Sequence, residues 1–300
     1  GFNWEKISDN LPQNLWVSQV YPSKFNEGTV YVSLNGYRYD NFNAYVYMSK
    51  DYGKTWTKLG NNLPAEPVNV IKEDLENKNI LYVGTDNGLY VSLNQGQTFE
   101  RFGKSLPAVA VHDLVIHPRE KDIIVATHGR SLYKASLKEL QLVTDSVLNK
   151  PLSLFELESV NYSTSWGRRM FSGEFFEPTF KIPYFTNKKG TAVITISSQN
   201  GTILQTIIDN AEKGLNYATY TFAFDQKKAV DLQKELKVSA INTAESGQTY
   251  LPAGKYKVTL QIGNYTATQM LDLVVNTRGQ RSFEPEPKSV PDEKKVKAKK

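Results

Sequence analysis

Along the first 140 positions apolar residues come in short alternating runs separated by Gly, Pro, Asn and Asp, a pattern that predicts strands rather than helices. One group of runs is Trp16–Val20, Thr29–Ser33, Ala44–Met48 and Thr55–Leu59, and a second is Val68–Ile71, Ile80–Gly84, Gly88–Ser92 and Thr98–Phe102. A third group, His112–Ile116, Asp122–Ala126 and Leu132–Ala135, stops one strand short, and a lone run at Trp4–Ile7 reads as the outer strand of an earlier unit. The expectation is about three four-stranded units, innermost strand first in each.

A repeated phrase sets the period. Trp4-Glu5-Lys6-Ile7 with Asn10-Leu11-Pro12, Trp56-Thr57-Lys58-Leu59 with Asn62-Leu63-Pro64, and Phe99-Glu100-Arg101-Phe102 with Ser105-Leu106-Pro107 recur at spacings of 52 and 43 residues. A period of that size in short strands predicts one supersecondary unit copied around a β-propeller. Closed propellers hold about four to eight units, so the remaining blades are expected either upstream, the favoured reading, or from another chain, with this chain beginning inside a repeat.

After Leu140 the period is lost. Residues 144–178 read as a linker, expected to pack on its surroundings because Phe155, Trp166, Phe171, Phe175 and Phe176 are too apolar for a free tether. Alternating runs resume at Phe180–Phe185, Thr191–Ile196, Ile203–Ile208, Tyr217–Phe224, Lys255–Leu260 and Ala267–Val275, with a hairpin turn at Asn200-Gly201, and predict an Ig-like or FnIII-like β-sandwich. Between them Ala229, Val230, Leu232 and Leu236 fall at helical spacing. The predicted organisation is all-β: partial propeller over 1–143, packed linker over 144–178, sandwich over 179–275, and a charged mobile tail over 276–300.

Charge changes the picture little. The net charge is +5, and the last 25 residues hold +4 of it, so the body is no nucleic-acid-binding surface and the Lys-rich end reads as a solvated tail. The absence of cysteine excludes disulfides, thiolate catalysis and Cys-ligated zinc. His112, His117 and His128 are too scattered to predict a metal site, no run is long enough for a transmembrane helix, and no cofactor is implied.

Ser49-Lys50-Asp51-Tyr52-Gly53-Lys54-Thr55-Trp56 and Ser92-Leu93-Asn94-Gln95-Gly96-Gln97-Thr98-Phe99 resemble the Asp-box, the Ser-x-Asp-x-Gly-x-Thr-Trp hairpin of sialidase-like and sortilin-like propellers. The resemblance implies that Ser49, Asp51, Gly53, Trp56, Ser92, Asn94, Gly96 and Phe99 are folding devices on the rim opposite the binding face. The runs Gly84–Ser92, His117-Pro118-Arg119-Glu120 and Thr127–Tyr133, with Gly214-Leu215-Asn216 and Leu251–Tyr256 further on, are similar to the C-terminal part of bacterial proteins labelled glycosyl hydrolase, BNR-repeat or VPS10/sortilin-like. That likeness implies a secreted, periplasmic or outer-surface protein with a peptide, protein or glycan ligand.

If the boxes mark one rim, the turns between second and third strands mark the other. Those turns hold Tyr37, Arg38, Tyr39, Asp40, Asp86, His128 and Arg130. Asp40 and Asp86 are the candidate catalytic pair, since glycoside hydrolysis needs two carboxylates about 5 to 10 Å apart. The other reading makes Asp86-Asn87-Gly88 a tight hairpin and His128 with Arg130 a capping pair. A sialidase constellation is incomplete, with only Arg38 and Arg130 on the proper rim. Two functions follow: an interaction protein binding peptide or glycan, and a glycoside hydrolase acting at the channel mouth.

Overall fold

The computed structural model describes residues 3–103 and 105–275, and it is all-β. The expected mobile tail lies outside the described residues. The first sheet is an antiparallel meander of β1 (Trp16–Pro22), β2 (Val30–Gly36), β3 (Asn41–Ser49) and β4 (Thr57–Lys58). The second repeats it with β5 (Val68–Glu73), β6 (Leu81–Thr85), β7 (Gly88–Ser92) and β8 (Glu100–Arg101), and the third has only β9 (Val111–His117), β10 (Asp122–Thr127) and β11 (Leu132–Ser136).

The sheets pack in chain order because the middle one is apolar on both faces. Val68, Ile71, Leu81, Val83 and Tyr90 meet Tyr31, Val46 and Leu59 of the first sheet. Val70, Ile80, Tyr82, Leu89 and Val91 turn the other way, onto Val111, Leu114, Ile123 and Val125 of the third. Strands covered on both sides lose the polar half of the alternation, and every residue of β6 and β7 is buried. The approach to the third sheet is close enough to require glycine at position 84, where a Cβ would lie 2.6 Å from Val111 Cγ1 and Val70 Cγ1.

Two buried carboxylates tie the middle sheet to its neighbours. Glu73 accepts bonds from Ser23 Oγ, the Lys24 amide at 2.8 Å and Tyr31 Oη at 2.9 Å, all from the first sheet and its hairpin. Asp74 accepts from the Glu76 and Asn77 amides, Tyr82 Oη and Gln141 Nε2. Burial, followed by the adjacent carboxylate, raises both tyrosine hydroxyls above their ordinary value, so each remains a donor.

One expected strand is absent. Residues 3–7 form no ladder, and Trp4 is 96% exposed, because no described strand offers them an edge to pair with. The segment expected as a linker is more structured than its sequence suggests. It carries α2 (Asp145–Leu148), shortly after α1 (Lys138–Gln141), and then β12 (Leu152–Leu154) and β13 (Val160–Tyr162). Phe155 and Trp166 are buried, whereas Phe171, Phe175 and Phe176 are exposed.

The remaining strands are β14 (Phe180–Thr186), β15 (Gly190–Ser197), β16 (Ile203–Ala211), β17 (Gly214–Tyr220), β18 (Ala223–Phe224), β19 (Thr249–Tyr250), β20 (Gly254–Ile262) and β21 (Tyr265–Val275). A three-stranded sheet, β12-β14-β17, and a five-stranded one, β13-β21-β20-β15-β16, share one core, with Trp166 stacked on Phe222 at 4.9 Å. The run expected as one strand over 217–224 breaks at Phe222, whose φ of 61° leaves the extended region. The predicted helix is present as α3 (Ala229–Leu236), entered through a 3-10 turn with the Asp225 carboxylate accepting from the Lys227 amide.

The two halves meet over Leu93, Val143, Val147, Leu148, Phe155, Phe185 and Leu215. Asn77 Nδ2 donates to the Val143 carbonyl at 2.9 Å, and Asn79 Nδ2 donates to Asp145 at 2.7 Å.

Glu73→Ala would orphan the Lys24 amide and the Tyr31 hydroxyl, at about 1–3 kcal/mol for each buried group left unpaired. The expected outcome is a chain that still folds, with a urea midpoint lowered accordingly; an unchanged midpoint would remove Glu73 from the packing of the first two sheets.

Candidate functional site

The two box-like turns are built alike. In the first, Ser49 Oγ donates to Asp51 Oδ1 and accepts from the Gly53 amide, while the Thr55 amide reaches Asp51 Oδ1 at 2.9 Å and Thr55 Oγ1 reaches Oδ2 at 2.6 Å. In the second, Ser92 Oγ donates to Asn94 Oδ1 and accepts from the Gly96 amide, and the Thr98 amide reaches Asn94 Oδ1 at 3.0 Å. Only the last bond reverses: Asn94 Nδ2 donates to Thr98 Oγ1 at 2.9 Å. A threonine hydroxyl donates and accepts, which is how Asn substitutes for Asp without loss of the turn. Gly53 and Gly96 sit at φ 88° and 81°, and a Cβ at Gly96 would meet Leu59 Cδ1 at 2.7 Å.

The phrase after each box also has a physical reason. Asn62 Nδ2 donates to the Phe99 carbonyl at 2.7 Å and Asn62 Oδ1 accepts from the Phe99 amide at 3.0 Å, so the Asn of one repeat clamps the aromatic residue of the next. Asn10 makes a single bond, from its Nδ2 to the carbonyl of Lys54, two residues before Trp56, while Trp56 Nε1 donates to the Ile7 carbonyl at 2.8 Å.

At the other ends of these strands lies a polar chain that joins two sheets. The Tyr37 amide donates to Asn35 Oδ1 at 2.9 Å, Asn35 Nδ2 donates to Asn69 Oδ1 at 2.9 Å, and Asn69 Nδ2 donates to Asp86 Oδ1 at 2.8 Å. Every donor points toward Asp86, so the bonds polarise one another along the row. Tyr37, Arg38 and Tyr39 form a single 3-10 turn closed by Asp40 in the left-handed region, φ 55°. The Arg38 guanidinium lies 4.0 Å over the Trp16 ring, and Tyr37 meets Phe42 edge-on at 6.0 Å. Trp16, Tyr37, Tyr39 and Phe42 are all exposed, which makes an aromatic patch with amides at its margin.

Sequence reasoning named Tyr37, Arg38, Tyr39, Asp40 and Asp86, and these share the rim of the first two sheets. Trp16, Asn35, Phe42 and Asn69 were missed, as was Glu66. That carboxylate accepts from Thr85 Oγ1 at 2.6 Å, from Tyr90 Oη and from Asn87 Nδ2, one residue from Asp86. Burial first, then Glu66, raises the Tyr90 hydroxyl above its ordinary value. His128 and Arg130 stand at the equivalent turn of the third sheet, both exposed. The capping pair expected there is replaced by Thr127, whose Oγ1 donates to the Ser131 carbonyl at 2.6 Å, while the His128 ring packs 5.1 Å from His112.

Residues 44–174 match the family described as Sortilin-Vps10, "Sortilin, neurotensin receptor 3". Among curated proteins none matches the chain. Solved structures that overlap it include the extracellular domain of the hybrid two component system BT4673 from B. thetaiotaomicron, at 10% identity and TM-score 0.30 over 85% of this chain and 31% of that one. The GH74 xyloglucanase from Xanthomonas campestris overlaps at 13% identity and TM-score 0.32, over 85% of this chain and 47% of that one. The GH74 enzyme of Niastella koreensis does so at 11% identity and TM-score 0.32, over 85% and 46%. The chain spans a third to under half of the length of these structures, and so partial an overlap assigns neither substrate nor partner. Among the described residues no helix is long and apolar enough to cross a membrane.

The Thr55 hydroxyl, then the Thr55 amide and the Ser49 hydroxyl, hold the Asp51 carboxyl down to about 2 from an ordinary 3.8. A depressed folded value means that the stabilisation is complete above the ordinary value and is lost as pH falls through the folded one. Thermal midpoints measured between pH 5 and 2 should therefore fall less steeply for Asp51→Asn than for the unaltered chain. Asn94→Asp should steepen the fall; parallel curves for all three proteins would contradict the role given to Asp51.

Proposed function

We propose that this chain is part of a secreted or cell-surface interaction protein, in which successive sheets are blades of a propeller and the rim around Trp16 holds a peptide or a glycan. The observation that carries this is the exposed aromatic patch of Trp16, Tyr37, Tyr39 and Phe42, with Arg38 stacked at 4.0 Å and the Asn35–Asn69–Asp86 row beside it. Aromatic faces supply contact area at small entropic cost, and uncommitted edges of amides and carboxylates supply direction. The match of residues 44–174 to the sortilin family supports ligand binding as the role. On this reading the Ser-Asp and Ser-Asn turns are Asp-boxes, the second half is an Ig-like spacer or docking module, and further blades come from the same protein.

Glycoside hydrolysis is the second reading, and it rests on Asp40, Asp86 and the neighbouring Glu66 sharing one rim. Two features weigh against it. Asp86 is already the acceptor at the end of the amide row, and Glu66 is held by Thr85, Tyr90 and Asn87, so neither carboxylate is poised beside an open, apolar slot that would keep it protonated as a general acid.

Titration of the protein with soluble oligosaccharides and with a peptide panel should give saturable binding that Trp16→Ala weakens ten-fold or more, about 1.4 kcal/mol. Absence of binding to both, or binding indifferent to Trp16 and Arg38, would overturn the proposal. Turnover of a panel of aryl glycosides, lost in Asp40→Ala or Asp86→Ala proteins that still fold, would put hydrolysis in its place.

A further inference from the structure

Four turns meet where the first two sheets lie side by side, at the end of the strands away from Trp16. They are the hairpin between β1 and β2, the turn at Ser49, the hairpin between β5 and β6, and the turn at Ser92. Between them is a cleft of about 300 Å³ that the packing of the two sheets leaves open. Glu73, 1% exposed, forms its floor, and each turn adds a polar side chain to the wall: Thr29 from the first, Lys50 from the second, Lys78 from the third and Gln95 from the fourth. On the other side of the middle sheet the chain covers its own polar groups, because Gln141 reaches Asp74 and Asn77 donates to the Val143 carbonyl.

The groups around the cleft are placed but not used. Thr29 is only 6% exposed, yet its hydroxyl has no partner among the described residues. A polar group so deep ordinarily has one, and a hydroxyl can both donate and accept. Lys50 and Lys78 likewise have neither an acidic partner nor a side-chain hydrogen bond among the described residues, whereas nearby Lys24 donates to the Leu75 carbonyl. Glu73 is the one carboxylate among the described residues that line the cleft, and it does not answer them. Its oxygens are already taken by Ser23, the Lys24 amide and Tyr31. The Gln95 amide is fixed by its Nε2, which donates to Asn79, and its oxygen stays free.

We propose that this cleft holds a small hydroxylated monocarboxylate, a molecule the size of one sugar acid. Two ammonium groups stand against one carboxylate in the lining, so a single negative charge brings the site to neutrality and a second would overshoot. The Thr29 hydroxyl and the Gln95 amide oxygen would pair with the hydroxyls of the ligand. A volume of this size is at the small end for ligand sites, which selects a single ring or a short open chain over an oligomer. A buried group waiting for a hydroxyl also discriminates, because a ligand without one leaves it unpaired. The cleft lies on the opposite rim from Trp16, and the proposal does not depend on what that rim binds.

The test is calorimetric titration of the protein with D-gluconate and with D-glucuronate, using D-glucose as the neutral control and inorganic phosphate as the more highly charged one. Saturable binding of at least one monocarboxylate is expected, about ten-fold tighter than either control and weakening as salt is added. A Lys50→Met/Lys78→Met variant should bind about ten-fold more weakly. Thr29→Val, which keeps the shape and removes the hydroxyl, should also weaken binding without lowering the thermal midpoint, since the hydroxyl has no partner to lose. Trp16→Ala should leave the titration unchanged. The proposal fails if neither monocarboxylate binds, if glucose or phosphate binds as tightly, if binding survives the double lysine variant, or if Trp16→Ala abolishes it.

Discussion

The double burial of the second sheet is the constraint on which the rest of the meander depends. A sheet with one polar face can end an assembly; a sheet with none must sit between two others. Leu81 and Val83 turn to the first sheet while Ile80 and Tyr82 turn to the third, so the alternation that normally separates core from solvent here separates two cores. Glu73 and Asp74, adjacent in sequence, follow the same division. One reaches the hairpin of the first sheet and the other reaches Gln141, beyond the third.

This arrangement separates polar groups that stabilise from polar groups that remain available. At one end the side chains of Ser49, Asp51, Ser92 and Asn94 are committed to bonds within their own turns, and Asn62 commits both of its amide atoms to the next repeat. Between those turns Thr29, Lys50 and Lys78 stay uncommitted around Glu73. At the other end the Asn35–Asn69–Asp86 row crosses between sheets and leaves aromatic rings in solvent. The second half is fixed against the middle sheet through Leu93, Phe185 and Leu215.

Much of this was legible in the chain. The strands of the meander and the turns at Ser49 and Ser92 could be read because alternation and turn chemistry are local, and α3 because its apolar spacing is helical. What could not be read depends on distant partners. Trp4–Ile7 has the composition of an outer strand but no edge to join among the described residues. Leu152–Leu154 and Val160–Tyr162 are three residues long, too short to show a period, and become strands only by pairing with β14 and β21. Asn35 and Asn69 sit 34 residues apart, and an asparagine near a turn is too common to announce a relay. Trp16 opens an ordinary strand, and nothing nearby in sequence says that Arg38 will cover it.

Native-state hydrogen exchange, followed residue by residue against denaturant, tests the central claim most directly. If the middle sheet is the shared core of its neighbours, the amides of Leu81–Thr85 and Gly88–Ser92 exchange only through global unfolding and are the slowest of the three sheets. Exchange of those amides by local opening, ahead of the central amides of β2 or β10, would contradict the account.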